Sequence, residues 1–204
     1  GSKERFRDFI PPQDLAGLEG DWAEEYPDYL GCCASIDYNV GRLLSGLVRL
    51  GLEENTLIVY TSDHGSHFRT RNKEMEPGSF DDYKRSCHDS CLRVPMILNG
   101  PGFRGGSVVP DLVSLSDLPP TILATAGLDT PEQMQGQPLQ RILKGNPAGW
   151  RKEIFAQISE SQVGRTIRTE KWKYSVRAPG LDGVHYSAGT TYQEDFLYDL
   201  ENDP

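Results

Sequence analysis

Residues suited to chemistry fall into two groups. Thr61-Ser62-Asp63-His64-Gly65 closes the run Thr56-Leu57-Ile58-Val59-Tyr60-Thr61, which is β-branched, aromatic and unbroken in its apolar centre. Such a run predicts a strand covered on both faces, as in a parallel sheet. In open α/β sheets, ligands collect at the carboxyl ends of the strands. Asp63 and His64 stand at that edge, and a carboxylate oxygen beside an imidazole nitrogen can bind a divalent cation. Gly65 lets the chain turn away close to the site. Taken alone, the tripeptide equally fits a cap or turn after a strand.

The second group is cationic. His67, Arg69, Arg71, Lys73, Lys84 and Arg85 crowd one stretch of a chain whose net charge is -9. Fixed like charges side by side cost stability, so a basic cluster on an acidic protein suits an anionic ligand. Glu74, Glu76, Asp81 and Asp82 share the stretch, and a solvated loop closed by its own salt bridges is the competing description. His88 reads either as a substrate hydrogen-bonder or proton donor, or as a satisfied histidine beside Asp89. Cys87 and Cys91 flank it, and Cys32-Cys33 form a second pair. Reduced or buried thiols are the plain reading. One His with Cys-x3-Cys is too little for a zinc site, and a disulfide is left open.

The elements that must position these groups follow from periodicity. Ile36, Val40, Leu43, Leu44, Leu47 and Leu50 recur at steps of three and four, predicting a helix from Tyr29 to Leu50 that Gly51 ends. Asp28 is placed to cap or charge its first turn. Residues 1–27, with Pro11-Pro12 and Pro27, read as an arm or connector. The strand at 56–61 leads into a polar loop over 64–83, and a buried strand follows at Val94-Pro95-Met96-Ile97-Leu98. Ser116 or Asp117 caps a helix that Pro119 and Pro120 enter in its first turn and that ends at Gly127. A short helix is expected over 137–143. Runs at 153–159, 165–169, 172–176 and 196–200 have hairpin spacing, with Glu170-Lys171 as a tight turn. Three parts result: the arm, an α/β core over 28–150, and a small, incomplete α+β unit over 151–204.

Composition narrows the function. An apolar fraction of 37% before glycine is counted is that of a globular chain. The negative charge argues against a nucleic-acid partner. No apolar run approaches the ~20 residues of a transmembrane helix. Gly1-Ser2 looks like a cleavage scar, and a piece of a longer protein is expected.

Several motifs in order resemble one family. Thr61 to Gly65, followed by Tyr83-Lys84-Arg85-Ser86-Cys87-His88-Asp89-Ser90-Cys91-Leu92-Arg93-Val94-Pro95, is similar to the formylglycine-dependent sulfatases of the alkaline-phosphatase-like superfamily. Ser35 to Leu44 resembles their helix with the pattern MDxxVGRLL, and Leu115 to Thr121 their xxDLxPTLL segment. Arg168 to Tyr174 and Glu194 to Pro204 resemble their C-terminal pieces. The resemblance covers residues 28–204. It implies part of an α/β/α sandwich with a small C-terminal antiparallel β subdomain.

By position, the resemblance makes Asp63 and His64 the third and fourth metal ligands, with Ca2+ expected and Mg2+ or Mn2+ as alternatives. It makes Lys84 the lysine that contacts the sulfate and the leaving oxygen, where a cation stabilises the charge developing as the S–O bond breaks. His88 falls where other members often carry an aromatic residue. The cysteine that becomes formylglycine, the paired aspartates and the remaining sulfate-holding residues have no counterpart here and are expected upstream, in a missing N-terminal half. The implied activity is hydrolysis of a sulfated small molecule or glycan, with His67, Arg69 and Arg71 on a neighbouring anionic group of the substrate. A phosphonate or phosphate monoester hydrolase of the same superfamily, or a non-catalytic anion-binding fragment, are the alternatives. A periplasmic or secreted location is what the resemblance suggests.

Overall fold

A computed structural model of the chain describes residues 2–71, 83–143 and 148–202. A short helix α1 (Ser2–Arg5) precedes the long α2 (Trp22–Leu50), and a 3-10 turn (Glu53–Asn55) leads into β1 (Ile58–Thr61). Next come α3 (Asp89–Leu92), β2 (Met96–Asn99), a 3-10 turn (Leu115–Asp117), α4 (Leu118–Thr125) and α5 (Gln140–Leu143). Four strands end the chain: β3 (Glu153–Ile158), β4 (Gly164–Thr169), β5 (Trp172–Arg177) and β6 (Gln193–Asp199). The described residues hold a two-stranded sheet, β1-β2, and a four-stranded antiparallel sheet in the order β3-β4-β5-β6.

The arm expected over 1–27 is partly helical, and α2 begins seven residues before Tyr29. Aromatic packing is the cause. Phe9 lies 5.0 Å from Tyr26 and 6.3 Å from Trp22, and Phe68 packs 5.4 Å from Tyr26 and 5.7 Å from Tyr29. Packing among these rings, with burial of Pro27, offsets the backbone hydrogen bond that a proline inside a helix removes. Asp28 therefore lies within the helix, not at its start, and pairs with Lys3 at 3.4 Å. The far end behaves as expected: Gly51 adopts the left-handed conformation at φ 66°.

The two core strands differ from the expectation of a parallel sheet. β1 and β2 pair antiparallel, with Ile58 opposite Asn99 and Thr61 opposite Met96. Within this chain Tyr60 and Ile97 are exposed, as are Ile36, Leu43, Val48 and Leu50 of α2. The apolar run and the helical stripe are real, but other surfaces must cover them. The buried cluster of Leu139, Ile142 and Trp150 forms below β2, against Met96, Leu98, Phe103 and Leu118.

Asp117 organises that region. Expected as a cap, it is completely buried and fully hydrogen-bonded. Its oxygens accept from the backbone of Ser114 and of Gln137, each at 2.8 Å, and from both terminal nitrogens of Arg151. Gly136 is required beside it, because a Cβ there would stand 1.8 Å from the Ser116 carbonyl oxygen. Removing one partner of a buried pair leaves the other charged and dry, at a cost of about 3–5 kcal/mol. Asp117→Ala and Arg151→Ala should each lower the unfolding free energy by about that much. The double variant should lose less than their sum in urea denaturation; simple additivity would show that the two groups do not act as a pair.

Candidate functional site

The turn after β1 is locked to the segment that begins at Tyr83. Gly65 donates its backbone N–H to the Cys91 carbonyl at 2.7 Å, and His67 donates to the Tyr83 carbonyl at 2.7 Å. A Cβ on Gly65 would stand 2.0 Å from the Ser90 carbonyl oxygen, so only glycine permits this approach. Two segments far apart in sequence are thereby laid side by side, and Asp63 comes within electrostatic reach of Lys84.

At the edge itself, the His64 Nδ1 faces the Gly65 carbonyl at 2.8 Å. A carbonyl only accepts, so Nδ1 carries the proton and Nε2 keeps its lone pair, the arrangement that metal-binding imidazoles use. Nε2 lies 3.5 Å from Asp63 Oδ2. Two donors at ordinary distances from one cation stand about 3–3.7 Å apart. The donor types and their spacing therefore fit a hard or borderline divalent ion. Desolvation raises the Asp63 carboxyl, but His64, the backbone N–H groups of residues 63 and 64, and Lys84 outweigh it and hold the group below the usual carboxylate range. Among the described residues, no three His, Cys, Asp or Glu side chains converge on a metal position.

The other expected site residues are distributed unevenly. His67 is fully buried rather than presented to solvent. Phe68 and Arg69 both have positive φ, 46° and 57°, so the loop doubles back sharply here. Arg69 reaches Asp21 at 3.3 Å and lies over the Tyr83 ring at 5.0 Å. Arg71 approaches His88 closely enough to act on its titration. Lys73, Glu74, Glu76, Asp81 and Asp82 lie outside the described residues.

His88 is buried against the C-terminal sheet, with Phe196 at 4.4 Å and Tyr198 at 6.0 Å from its ring. Its Nδ1 meets the Ser86 hydroxyl at 2.5 Å. Burial, then the charges of Arg71 and Lys173 and the nearby His67, push its pKa down to about 3, and Asp89 only partly opposes them. A ring held neutral in this way hydrogen-bonds but is a poor proton donor near neutrality. The four cysteines are free thiols. Burial pushes the Cys87 thiol up to about 11, so it is no nucleophile.

Residues not anticipated from sequence hold the site in place. Alternation along β5 puts Lys173, Ser175 and Arg177 on one face, turned toward residues 84–92. Asp89 accepts from both Lys173 and Arg168. Desolvation alone would neutralise both members of the pair, yet the two cations keep the Asp89 carboxyl below its ordinary value. Gly164 also lies here, where a Cβ would meet the Cys87 sulfur at 3.1 Å. Arg168 and Lys173 lie in the Arg168 to Tyr174 stretch that the family resemblance matched, but no role was attached to them, and the clean alternation of 172–177 left either face free to be the inner one.

Comparison with known proteins gives this geometry a family. The sulfatase family model matches residues 2–128, and the model for the C-terminal part of N-sulphoglucosamine sulphohydrolase matches residues 75–204. The chain belongs to the sulfatase family. It is 32% identical over 181 residues to an N-acetylglucosamine-6-O-sulfatase of Bacteroides thetaiotaomicron, covering 87% of this chain and 30% of that protein. It is 32% identical over 186 residues to arylsulfatase K of Rattus norvegicus, covering 86% of this chain and 30% of that one. The chain thus spans about a third of the length of these curated relatives. A solved structure in complex with its substrate, D-glucosamine-2-N,6-O-disulfate, superposes with a TM-score of 0.66 at 29% identity, over 92% of this chain and 37% of that one. A phosphonate monoester hydrolase from Silicibacter pomeroyi shares the fold, with a TM-score of 0.67 at 23% identity over 96% of this chain and 37% of that one.

The His88 geometry has a pH consequence. The folded pKa is about 3 against an ordinary 6.5, so the unfolded chain binds more protons between those values. The stability that a neutral ring confers is complete above pH 6.5 and declines as pH falls toward 3. His88→Gln should shrink the loss of unfolding free energy between pH 7 and pH 5, measured by denaturant titration at both. An unchanged difference would place the ring in solvent.

Proposed function

We propose that this chain is the C-terminal part of a sulfatase that hydrolyses a sulfate ester of a sulfated carbohydrate. The observation carrying the reading is the lacing of Gly65 onto Ser90-Cys91, with Asp63 within electrostatic reach of Lys84. The likeness to an N-acetylglucosamine-6-O-sulfatase and to the disulfated-glucosamine complex supports an amino-sugar sulfate as the substrate class. Family membership supports a formylglycine nucleophile upstream and Ca2+ as the metal, with Mg2+ or Mn2+ as alternatives.

Asp63 and His64 would supply two of the ligands to a divalent cation. Such a cation neutralises anionic oxygens and lowers the pKa of a bound nucleophile. The Lys84 ammonium would donate to the bridging oxygen as negative charge accumulates there, an interaction stronger in the transition state than in the bound substrate. His88 would hydrogen-bond as a neutral ring. Arg69 and Arg71 would face a neighbouring anionic group. The exposed apolar faces of α2 and of β1–β2 would be covered by the rest of the sulfatase body, since apolar patches of this kind mark interaction surfaces.

In the full-length protein, Lys84→Ala should lower kcat by about 10²–10³, the usual cost of losing one such donor, with a smaller change in KM. The loss should be largest for aryl sulfates with poor leaving groups, and a flat dependence on phenol pKa would remove Lys84 from the transition state. Asp63→Ala should abolish metal-dependent turnover while leaving the melting temperature near that of the parent. A faster reaction with phosphonate monoesters than with sulfate esters would favour the other hydrolase of this fold.

A further inference from the structure

Behind the turn that carries Lys84 lies a cavity of about 150 Å3, which neither Lys84 nor the Asp63–His64 edge lines. Its wall includes Arg71, Arg85 and His88 from the site loop, Arg177 from the end of β5, and Gln193 and Asp195 from β6. The wall thus carries three guanidinium groups and one carboxylate, and burial keeps His88 neutral among them. Arg177 and Arg85 each meet a carboxylate, and Arg71 brings a further cation to the wall.

The backbone is shaped to make this wall. Ser175 pairs with Phe196 and Val176 with Glu194, so Asp195 is the extra residue of a β-bulge. Bulges re-aim side chains beside functional sites, and here Asp195 stands 3.7 Å from the Arg177 Nε. On the opposite rim, Arg85 pairs with Glu160 at 2.5 Å. Glu160 has φ 96°, an unfavourable conformation for a side-chain-bearing residue, and its N–H is held by the Gly183 carbonyl at 2.7 Å. Such outliers persist where the surroundings over-determine them and concentrate at ligand clamps. The Arg71 Nε is buried with no hydrogen-bond partner among the described residues. A buried donor left without an acceptor is costly, and an oxyanion in the cavity would provide one.

We propose that this cavity is a second oxyanion subsite, which takes a sulfate or carboxylate of the substrate other than the ester being cleaved. Guanidinium groups suit both, because their planar forks match two oxygens at once. The assignment rests on the sulfatase reading above. It makes the enzyme selective for sugars with two anionic groups, and it makes the C-terminal sheet, through Arg177, the element that reads the second group.

The test uses the full-length protein and four variants, Arg177→Gln, Arg71→Gln, Arg177→Lys and Gln193→Glu. The last adds a carboxylate to the wall without removing an ion pair, so it stays informative if the arginine variants fold poorly. Specificity constants are compared for a disulfated glucosamine, a monosulfated sugar acid and a monosulfated neutral sugar. The preference for each doubly charged substrate over the neutral sugar should fall tenfold or more in Arg177→Gln, Arg71→Gln and Gln193→Glu, mainly through KM, and largely survive in Arg177→Lys. A fall for the disulfate alone assigns the subsite to sulfate, and a fall for the sugar acid alone to carboxylate. Unchanged preferences in folded variants overturn the subsite. Calorimetry with the disulfated glucosamine supplies a readout independent of turnover. Binding weakened tenfold by Arg177→Gln in a protein that cleaves no sulfate ester would sustain the subsite and overturn the sulfatase reading. Equal binding by parent and variant would overturn the subsite itself.

Discussion

The arrangement depends on one carboxylate shared by two cations. Asp89, at the start of α3, accepts from Arg168 of β4 and from the buried Lys173 of β5. Taking these charges out of water costs several kcal/mol each, and only mutual contact offsets it. The value of the triad is therefore specificity more than stability. A one-residue slip of β5 would turn Lys173 outward and leave Asp89 without its buried partner. The sheet and the 83–92 segment thus have one mutual register. Lys84 belongs to that segment, so a side chain on an irregular stretch inherits the rigidity of a four-stranded meander.

The same logic explains why the inner face of the C-terminal sheet is polar. Lys173, Ser175 and Thr166 are buried, whereas Phe155, Trp172 and Leu197 are exposed. An apolar face would pack residues 83–92 less selectively. Phe196 and Tyr198 pack on the His88 ring, which fixes that ring's plane while hydrogen bonds fix its neighbours.

Much of the fold was legible because periodicity survives without tertiary information. The stripe from Ile36 to Leu50, the apolar runs at 57–60 and 96–98, and the two-residue turn at Glu170-Lys171 all mark real elements. The start of α2 was not legible, since Pro27 argues locally for a break and only the aromatic packing of Phe9 and Phe68 overrides it. Strand direction was not legible either, because an apolar run records burial and not the orientation of its neighbour. Asp63, His64 and Lys84 stood out through motif order. Arg168 and Lys173 were matched by motif but given no role, and Arg177 was not matched at all, because sequence reasoning turns apolar residues inward and this sheet does the reverse. His67 sat among cationic neighbours in the sequence, and its burial, next to the left-handed Phe68-Arg69 reversal, was not legible there.

The bulge at Asp195 divides β6 into two tracts with independent phase. Phe196 and Tyr198 face inward on one side of it, opposite Ser175 and Lys173, and Gln193 faces inward on the other, opposite Arg177. Were the same residues laid out in strict two-residue alternation with no bulge, Glu194 would face inward in place of Gln193. One tract anchors the histidine segment and the other borders the arginine-lined cavity. Lineages of this family can therefore redraw the cavity tract, by substitution or by a compensated insertion, while the anchoring tract keeps its phase. The bulge acts as a seam along which part of the strand is free to diversify and the remainder is not.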